Sequence, residues 1–193
     1  MKKTLGMMLA ILRSRYEYVA SLGNGLYIVR TYRERYGDQS WGVYSSRAKK
    51  VVCWGDKYEK LSPSLLAFSQ TTYHYKYSTT DYYLFCLRKQ KLIDSFGEYS
   101  GSSFELCENG YVRGHFLKTV GTGDKMKVVG GWGIFNIKKE GFVIQPQYDK
   151  MISLGKGQYY GIKESHREGK ETYFLIEIND QGKVTTQRTS KIA

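Results

Sequence analysis

Histidine and cysteine are the side chains best suited to acid–base, nucleophilic or metal chemistry, and this chain has three of each. They are His74, His115, His166, Cys53, Cys86 and Cys107. A nucleophile needs a positioned base, and a structural zinc site needs closely spaced Cys or His ligands. The sequence contains no CxxC pair, no HExxH or GxSxG motif, and no Walker A or dinucleotide fingerprint. We therefore predict a non-enzymatic protein with no catalytic residues, no metal and no cofactor.

Lysine and arginine point to a different chemistry, the binding of anions. The chain carries 30 Lys and Arg against 18 Asp and Glu, a net charge of +12. Cations cluster in three short stretches, which are Arg47, Lys49 and Lys50; Arg88, Lys89 and Lys91; and Lys138 and Lys139. Along one rim they would form a cationic strip for an acidic protein or a phosphate backbone. The alternative is that these basic turns only promote solubility and block edge pairing of strands.

Three tyrosines form a second candidate binding feature. Tyr73, Tyr75 and Tyr77 alternate with His74 and Lys76, so at strand periodicity the tyrosines share one face. If that face is exposed, the rings can stack on bases or anchor a protein contact. If it is buried, the rings belong to the core. Both readings stay open at the level of sequence.

The basic stretches follow strand-like runs that recur along the chain. Trp41-Gly42-Val43-Tyr44 corresponds to Trp132-Gly133-Ile134-Phe135, and to residues 82–85 and 173–176. A basic turn follows the first three runs, whereas residues 179–181 break the pattern after the fourth. The opening tyrosines are a second anchor, namely Tyr16, Tyr58, Tyr99 and Tyr148. Two anchors in one phase predict tandem repeats of about 41 residues.

These recurring residues are predicted to be structural. The Tyr is expected to pack across the boundary between neighbouring repeats, because one repeat cannot bury its own apolar face. Trp41 and Trp132 supply a large buried area. Gly42 and Gly133 allow close backbone approach.

The segment from Trp132 to Asp149, WGIFNIKKEGFVIQPQYD, resembles the bacterial WG repeat. That pattern has Trp-Gly-hydrophobic, a turn containing Lys and Gly, and Val-Ile-x-Pro-x-Tyr-Asp. The first copy shares Trp41, Gly42, Val52 and Tyr58, but has Lys50 where the Gly belongs. The resemblance implies a β-repeat scaffold without catalytic residues, a bacterial or phage origin, and an interaction role.

We predict an all-β fold of four tandem repeats with up to four short antiparallel strands each. The repeats span residues 16–57, 58–98, 99–147 and 148–193 within one repeat domain, 16–193. The array is expected either to close as a small propeller or to stay open as a curved β-solenoid. Sequence does not choose between these, because closure depends on the rotation between repeats.

Residues 1–15 precede the repeats. Lys2 and Lys3 come before an apolar run, as in a secretory signal, but Arg13 and Arg15 follow at once and no cleavage site closes the run. We predict a packed strand or short helix, a cytoplasmic location and no integral membrane association. The alternative is a secreted or periplasmic protein in which these residues act as a signal.

The function is predicted from the basic turns, which are present in three repeats and missing in the fourth. The basic rim is expected to bind another, acidic protein. The alternative is nucleic-acid binding through the same rim, with Tyr73, Tyr75 and Tyr77 stacking on bases.

Overall fold

The computed structural model describes residues 2–32, 39–73, 75, 78–94, 96–106, 110–165 and 168–190. The chain divides into two compact units, Met1–Asp94 and Ser95–Ala193. His74, Lys76, Tyr77, Cys107 and His166 lie outside the described residues.

Within its described residues, the first unit consists of one helix and eight strands. They are α1 (Lys2–Arg15), β1 (Tyr18–Gly23), β2 (Leu26–Arg30), β3 (Trp41–Ser45), β4 (Lys50–Gly55), β5 (Lys57–Ser62), β6 (Leu65–Tyr73), β7 (Ser78–Cys86) and β8 (Lys91–Ile93). Consecutive strands pair antiparallel within β1–β4 and within β5–β8. The unit is therefore two successive meanders.

The second unit has the same plan. Its strands are β9 (Ser100–Leu106), β10 (Tyr111–Val120), β11 (Lys127–Asn136), β12 (Gly141–Tyr148), β13 (Lys150–Gly155), β14 (Gln158–Ser165), β15 (Lys170–Ile178) and β16 (Val184–Thr189). A short 3-10 turn, Gly123–Lys125, lies between β10 and β11. In the part of the chain that the structure describes, the strands form three antiparallel sheets of four, eight and four strands. The prediction of an all-β, antiparallel fold is confirmed.

The four meanders share one internal register. Trp41, Tyr82, Trp132 and Tyr173 pair with Arg30, Ser69, His115 and Ile162, respectively. One backbone hydrogen bond also recurs: Ser46 N donates to Gly25 O (2.8 Å), Leu87 N to Ser64 O (2.9 Å), Ile137 N to Gly110 O (3.3 Å) and Ile178 N to Gly157 O (2.8 Å). In each meander this bond ties the turn after the third strand to the turn after the first.

The register of the opening strands differs from the sequence alignment in the second meander. Gly23 pairs with Leu26, Ser62 with Leu65, and Gly155 with Gln158. Counting back by the same number of residues from Gly23, Ser62 and Gly155 reaches Tyr16, Gly55 and Tyr148. Gly55, and not Tyr58, is therefore the structural equivalent of the two tyrosines. The backbone N–H groups of Glu17, Asp56 and Asp149 donate to the carbonyls of Arg30, Ser69 and Ile162, which fixes the same frame. The turn Ser62-Pro63-Ser64 replaces Gly-x-Gly, which hides the frame from sequence comparison.

The first sheet of the first unit is covered on both faces. Leu26, Ile28 and Val43 pack with residues of the second meander, such as Phe68 and Phe85. Tyr27, Val29 and Tyr44 point to the opposite face, where Leu12 of α1 packs on them. Burial on both faces explains why β2 reads as a continuous apolar run instead of an alternating one.

The second unit has its own core between its two meanders. Tyr111, Ile134 and Ile144 pack with Tyr159, Ile176 and Ile178. Arg113 of β10 adds a polar link, because its Nη1 donates to the carbonyl of Met151 on β13 at 2.8 Å. The same guanidinium lies 5.7 Å from the ring centre of Trp132 and pairs with Glu105.

The predicted anchors occupy packed positions. Trp41 is half-buried, with Tyr58 of the next meander 4.8 Å away between ring centres. Tyr16 lies near Trp54 (6.3 Å), Tyr99 near Phe142 (5.5 Å) and Tyr148 near Phe174 (5.6 Å). A Cβ added to Gly42 would lie 2.7 Å from the Trp54 ring, and one added to Gly133 would lie 2.7 Å from Ile144 O. Close approach therefore requires glycine at both positions.

In the part of the chain that the structure describes, no helix combines the length and the apolar character that crossing a bilayer requires.

Candidate interaction surface

Two hairpin turns of the first unit carry six of the predicted binding residues. The turn between β3 and β4 presents Arg47, Lys49 and Lys50, and the turn between β7 and β8 presents Arg88, Lys89 and Lys91. All six side chains are exposed. Each turn has four loop residues, closed by the pairs Ser45–Lys50 and Cys86–Lys91. We call these six residues the cationic end.

Hydrogen bonds bring the two turns of the cationic end together. Gln90 in the second turn donates from Nε2 to the carbonyl of Asn24 (3.3 Å), in the turn between β1 and β2. Ser46 N donates to Gly25 O in that same turn. A depression of about 330 Å³, lined in part by Arg47 and Gln90, lies where the turns meet. The turns therefore lie at one end of the unit.

The backbone of these turns is locally fixed. Ser45 is buried, and its Oγ accepts a hydrogen bond from Ala48 N at 3.2 Å. Lys49 (φ 55°) and Gln90 (φ 51°) adopt the left-handed conformation at the last loop position. The shape of the first turn is therefore held by Ser45, a residue of the same hairpin.

The turns at this end carry cations and no anions of their own. Four turns meet or lie beside one another there, residues 23–25, 46–50, 62–64 and 87–91, and none contains Asp or Glu. Like charges held together raise the local potential and attract anions from beyond contact distance. The cationic end therefore suits an anionic partner.

Lys138 and Lys139 lie in the matching turn of the second unit, between β11 and β12. Their backbone N–H groups donate to Asn136 Oδ1 at 2.8 and 3.0 Å, so this turn is also closed by a side chain. Glu140 follows them within the turn. The turn of residues 179–183 carries Asp180 and Lys183. These two turns are therefore mixed in charge, unlike those of the cationic end.

The tyrosine feature lies elsewhere. Tyr73 is 75% exposed and Tyr75 is 100% exposed, so neither ring is in a core. β6 ends at Tyr73, so strand alternation does not continue to Tyr75 as the sequence suggested. The nine residues of β6 separate Tyr73 from the turn of residues 62–64, roughly 30 Å at strand rise. Tyr73, at the far end of β6, therefore lies on a different surface from the cationic end.

Side chains with nucleophilic potential are held in structural contacts. Ser102 Oγ lies 2.7 Å from His115 Nδ1 and also donates to the carbonyl of His115 at 3.0 Å. The Ser102 hydroxyl has a single proton, which it donates to the His115 carbonyl. When it does so, the Nδ1–H of His115 is the donor to Ser102 Oγ. Burial lowers the pKa of His115. Cys53 and Cys86 are buried and free, and burial raises the pKa of the Cys53 thiol to about 12.

Two features of the surface escaped sequence reasoning. One is the link from Gln90 to Asn24, which joins turns 66 residues apart and leaves no local signal. The other is the exposure of Val120, Met126, Val128 and Val129 in the outer part of the β10–β11 hairpin.

Comparison with models of known protein families, and with curated proteins, finds no match to this chain.

Proposed function

We propose that this chain is a non-enzymatic protein-binding module that engages an acidic partner through the cationic end. One observation carries the proposal. Six cationic side chains project from two turns joined at one end of the first unit, and the turns around them contain no carboxylate. Exposed ion pairs contribute only about 0.2–1 kcal/mol each, so an array is needed to bind and orient a partner.

The scaffold that holds this end is, in this proposal, an array of four copies of one WG-like repeat. The shared register of the four meanders and the recurring turn-to-turn hydrogen bond support it. The repeat supplies equivalent turns at equivalent places, and the side chains on those turns are free to diverge. In the first unit both turns after the third strand became basic. We also place the protein in the cytoplasm, where free thiols such as Cys53 and Cys86 remain reduced.

Nucleic acid is the competing anionic partner. The version in which tyrosines stack beside the basic rim is not supported, because Tyr73 and Tyr75 lie at the far end of β6 from the cationic end. A phosphate backbone would then be held by cations alone. Neutralising six phosphates makes affinity fall by about 10³-fold between about 50 and 200 mM salt.

The test reverses charge at the cationic end. In a variant with Lys49, Lys50, Arg88 and Lys91 changed to Glu, we expect binding of a short poly-glutamate peptide to weaken by about 10- to 100-fold. Pull-down with the same variant should lose the specific protein that the native chain recovers. Binding is measured by fluorescence anisotropy at low and physiological salt.

A matched variant controls for net charge. Lys57, Lys60, Lys156 and Lys170 are exposed and lie outside both the cationic end and the β10–β11 hairpin. Changing these four to Glu removes as much charge and should leave binding within about twofold. Equal losses of binding in the two variants would show that the cationic end is not the binding surface. Retention of single- or double-stranded DNA or RNA with the steep salt dependence above, without a protein partner, would favour nucleic acid instead.

A further inference from the structure

The β10–β11 hairpin extends beyond the strands that flank it. β10 and β11 pair continuously from Tyr111–Asn136 to Val120–Lys127. β9 pairs with β10 as far as Leu117, and β12 pairs with β11 from Trp132 onward. Residues 118–130 therefore form a two-stranded arm, with a tip ordered by backbone hydrogen bonds from Lys125 N to Thr122 O (3.2 Å) and Met126 N to Gly123 O (3.1 Å).

Two glycines set the base of this arm. Gly130 (φ 142°) and Gly131 (φ 146°) lie in a backbone region that other residues rarely adopt. A Cβ at Gly130 would lie 2.1 Å from Phe116 O, and one at Gly131 would lie 2.5 Å from Tyr148 O. The arm thus leaves the packed sheet at a fixed point, where the β12 backbone begins to cover β11.

The two edges of the arm differ. On the β10 side, the ammonium group of Lys118 pairs with Glu98 at 2.7 Å and lies 4.8 Å from the Tyr99 ring centre. That segment flanks the β10 edge. On the β11 side, among the strands that the structure describes, none pairs with residues 127–130. An unpaired edge of this kind presents backbone N–H and C=O groups to an added strand.

The side chains of the open edge are placed to contact an added strand better than a flat protein surface. Val128 is 66% exposed and Val129 is 38% exposed, and consecutive strand residues point to opposite faces. An added strand also places side chains on both faces, so it would meet a valine on each. Lys127 lies on the same edge and Lys125 at its tip, with Asp124 the one acidic residue between Lys118 and Gly130. The edge is therefore cationic as well as apolar.

We propose that the outer edge of β11, residues 127–130, binds an extended acidic segment of a partner protein by β-strand addition. The added strand pairs with the exposed backbone, its apolar side chains pack beside Val128 and Val129, and a carboxylate pairs with Lys127. The inference is independent of the cationic end, which belongs to the other unit. Because the arm is already ordered, most of the entropic cost of binding comes from ordering the partner segment.

The test uses three short peptides and backbone NMR of the full chain. The peptides are Glu-Val-Thr-Val-Glu, its counterpart with Lys in place of Glu, and its counterpart with Pro in place of Thr, all with blocked termini. We expect the acidic peptide to shift the amide signals of residues 127–130 in a saturable way. The lysine and proline peptides should bind there at least about fivefold more weakly, because like charge repels and proline cannot donate to the ladder.

Variants separate this edge from simple charge attraction. Lys127→Glu should weaken the acidic peptide about fivefold at the arm and favour the lysine peptide, whereas Lys170→Glu should change neither. Peptide shifts confined to the turns of the cationic end would overturn the inference while leaving the proposed function intact. Concentration-dependent self-association through the arm, or sedimentation with phosphatidylserine vesicles without any peptide shift at the arm, would also overturn it.

Discussion

At the scale of single residues, the glycine after tryptophan is fixed by space and not by backbone conformation. Gly133 lacks a positive φ, but a Cβ there would lie 2.7 Å from Ile144 O and 3.0 Å from Pro146 N. Both obstacles are backbone atoms, which cannot move without shifting β12. The same place in the first meander, Gly42, is crowded by the side chains of Val51 and Trp54. One sequence motif thus meets two different neighbours.

Gly133→Ala is expected to lower the free energy of unfolding by about 1–3 kcal/mol, the range for overpacking a tight site. Gly141→Ala is the matched control, because its nearest atom would be 4.0 Å away and its φ is not positive. That variant should change stability by less than about 0.5 kcal/mol. Urea denaturation followed by tryptophan fluorescence measures both. Equal changes in the free energy of unfolding of the two variants would show that β12 shifts without cost to accommodate the added methyl group.

Arg113 shows how a charged residue becomes part of the scaffold. Its guanidinium donates to Met151 O, pairs with Glu105 and lies over the Trp132 ring. Desolvation lowers its pKa, yet an arginine stays charged at every pH at which proteins fold. The planar fork satisfies partners on two meanders at once, which a lysine cannot reproduce. Not every cation of a basic protein is therefore available to a partner.

At the scale of elements, the turns after the third strands share a device. Lys49, Gln90 and Glu140 occupy the last loop position with φ of 55°, 51° and 52°. A residue with a side chain pays a steric cost in this conformation, which glycine avoids. Each of these turns carries a non-glycine residue at this position despite that cost, and of the three only Lys49 is a cation.

Glu140→Gly is expected to raise the free energy of unfolding by about 0.5 kcal/mol, since relief of the left-handed strain outweighs the greater entropy of glycine in the unfolded chain. Lys139→Gly serves as the comparison, because Lys139 does not have a positive φ and should lose a similar amount of stability. Thermal unfolding of the two variants and the native chain decides this. A destabilised Glu140→Gly variant would mean that the carboxylate contributes more than the backbone.

The sequence predicted some of these elements and not others, for physical reasons. The Trp-Gly runs and their basic turns recur in phase, so the third strand of each meander and the basic residues on its turns follow from the pattern. The second opening strand was misplaced by three residues, because Ser62-Pro63-Ser64 makes the turn that Gly-x-Gly makes elsewhere. The exposure of Tyr73 and of Val128 depends on where the flanking strands stop, which no local pattern records.

At the scale of the whole molecule, charge and burial are distributed unevenly. α1 covers one face of the first sheet with Leu12, Met8 and Leu9, while its four cations at residues 2, 3, 13 and 15 have no acidic residue beside them in the helix. The cationic end adds six more cations to the same unit. The net charge of +12 thus arises largely in the first unit, which is the unit proposed to engage the acidic partner.

Buried phenols and a buried thiol make the stability of the whole chain sensitive to alkaline pH. Burial raises the pKa of Tyr83, of Tyr148 and, to about 12, of Cys53, from ordinary values of 10.0 for Tyr and 9.0 for Cys. A group whose pKa is higher in the folded state holds its proton there at a pH where the unfolded chain has released it. Its stabilising contribution is complete below the unfolded pKa and is lost as pH rises through the folded value.

We therefore expect the free energy of unfolding to stay level up to about pH 9 and to fall steadily between pH 9 and 12. Urea midpoints across that range, with tyrosinate absorbance measured in parallel, give the slope. Tyr83→Phe should flatten the slope, because the most strongly shifted phenol is gone, while Tyr75→Phe should leave it unchanged, because Tyr75 is 100% exposed. A midpoint that stays constant to pH 12 would contradict the burial of these side chains, since a buried group cannot ionise in the folded chain without cost.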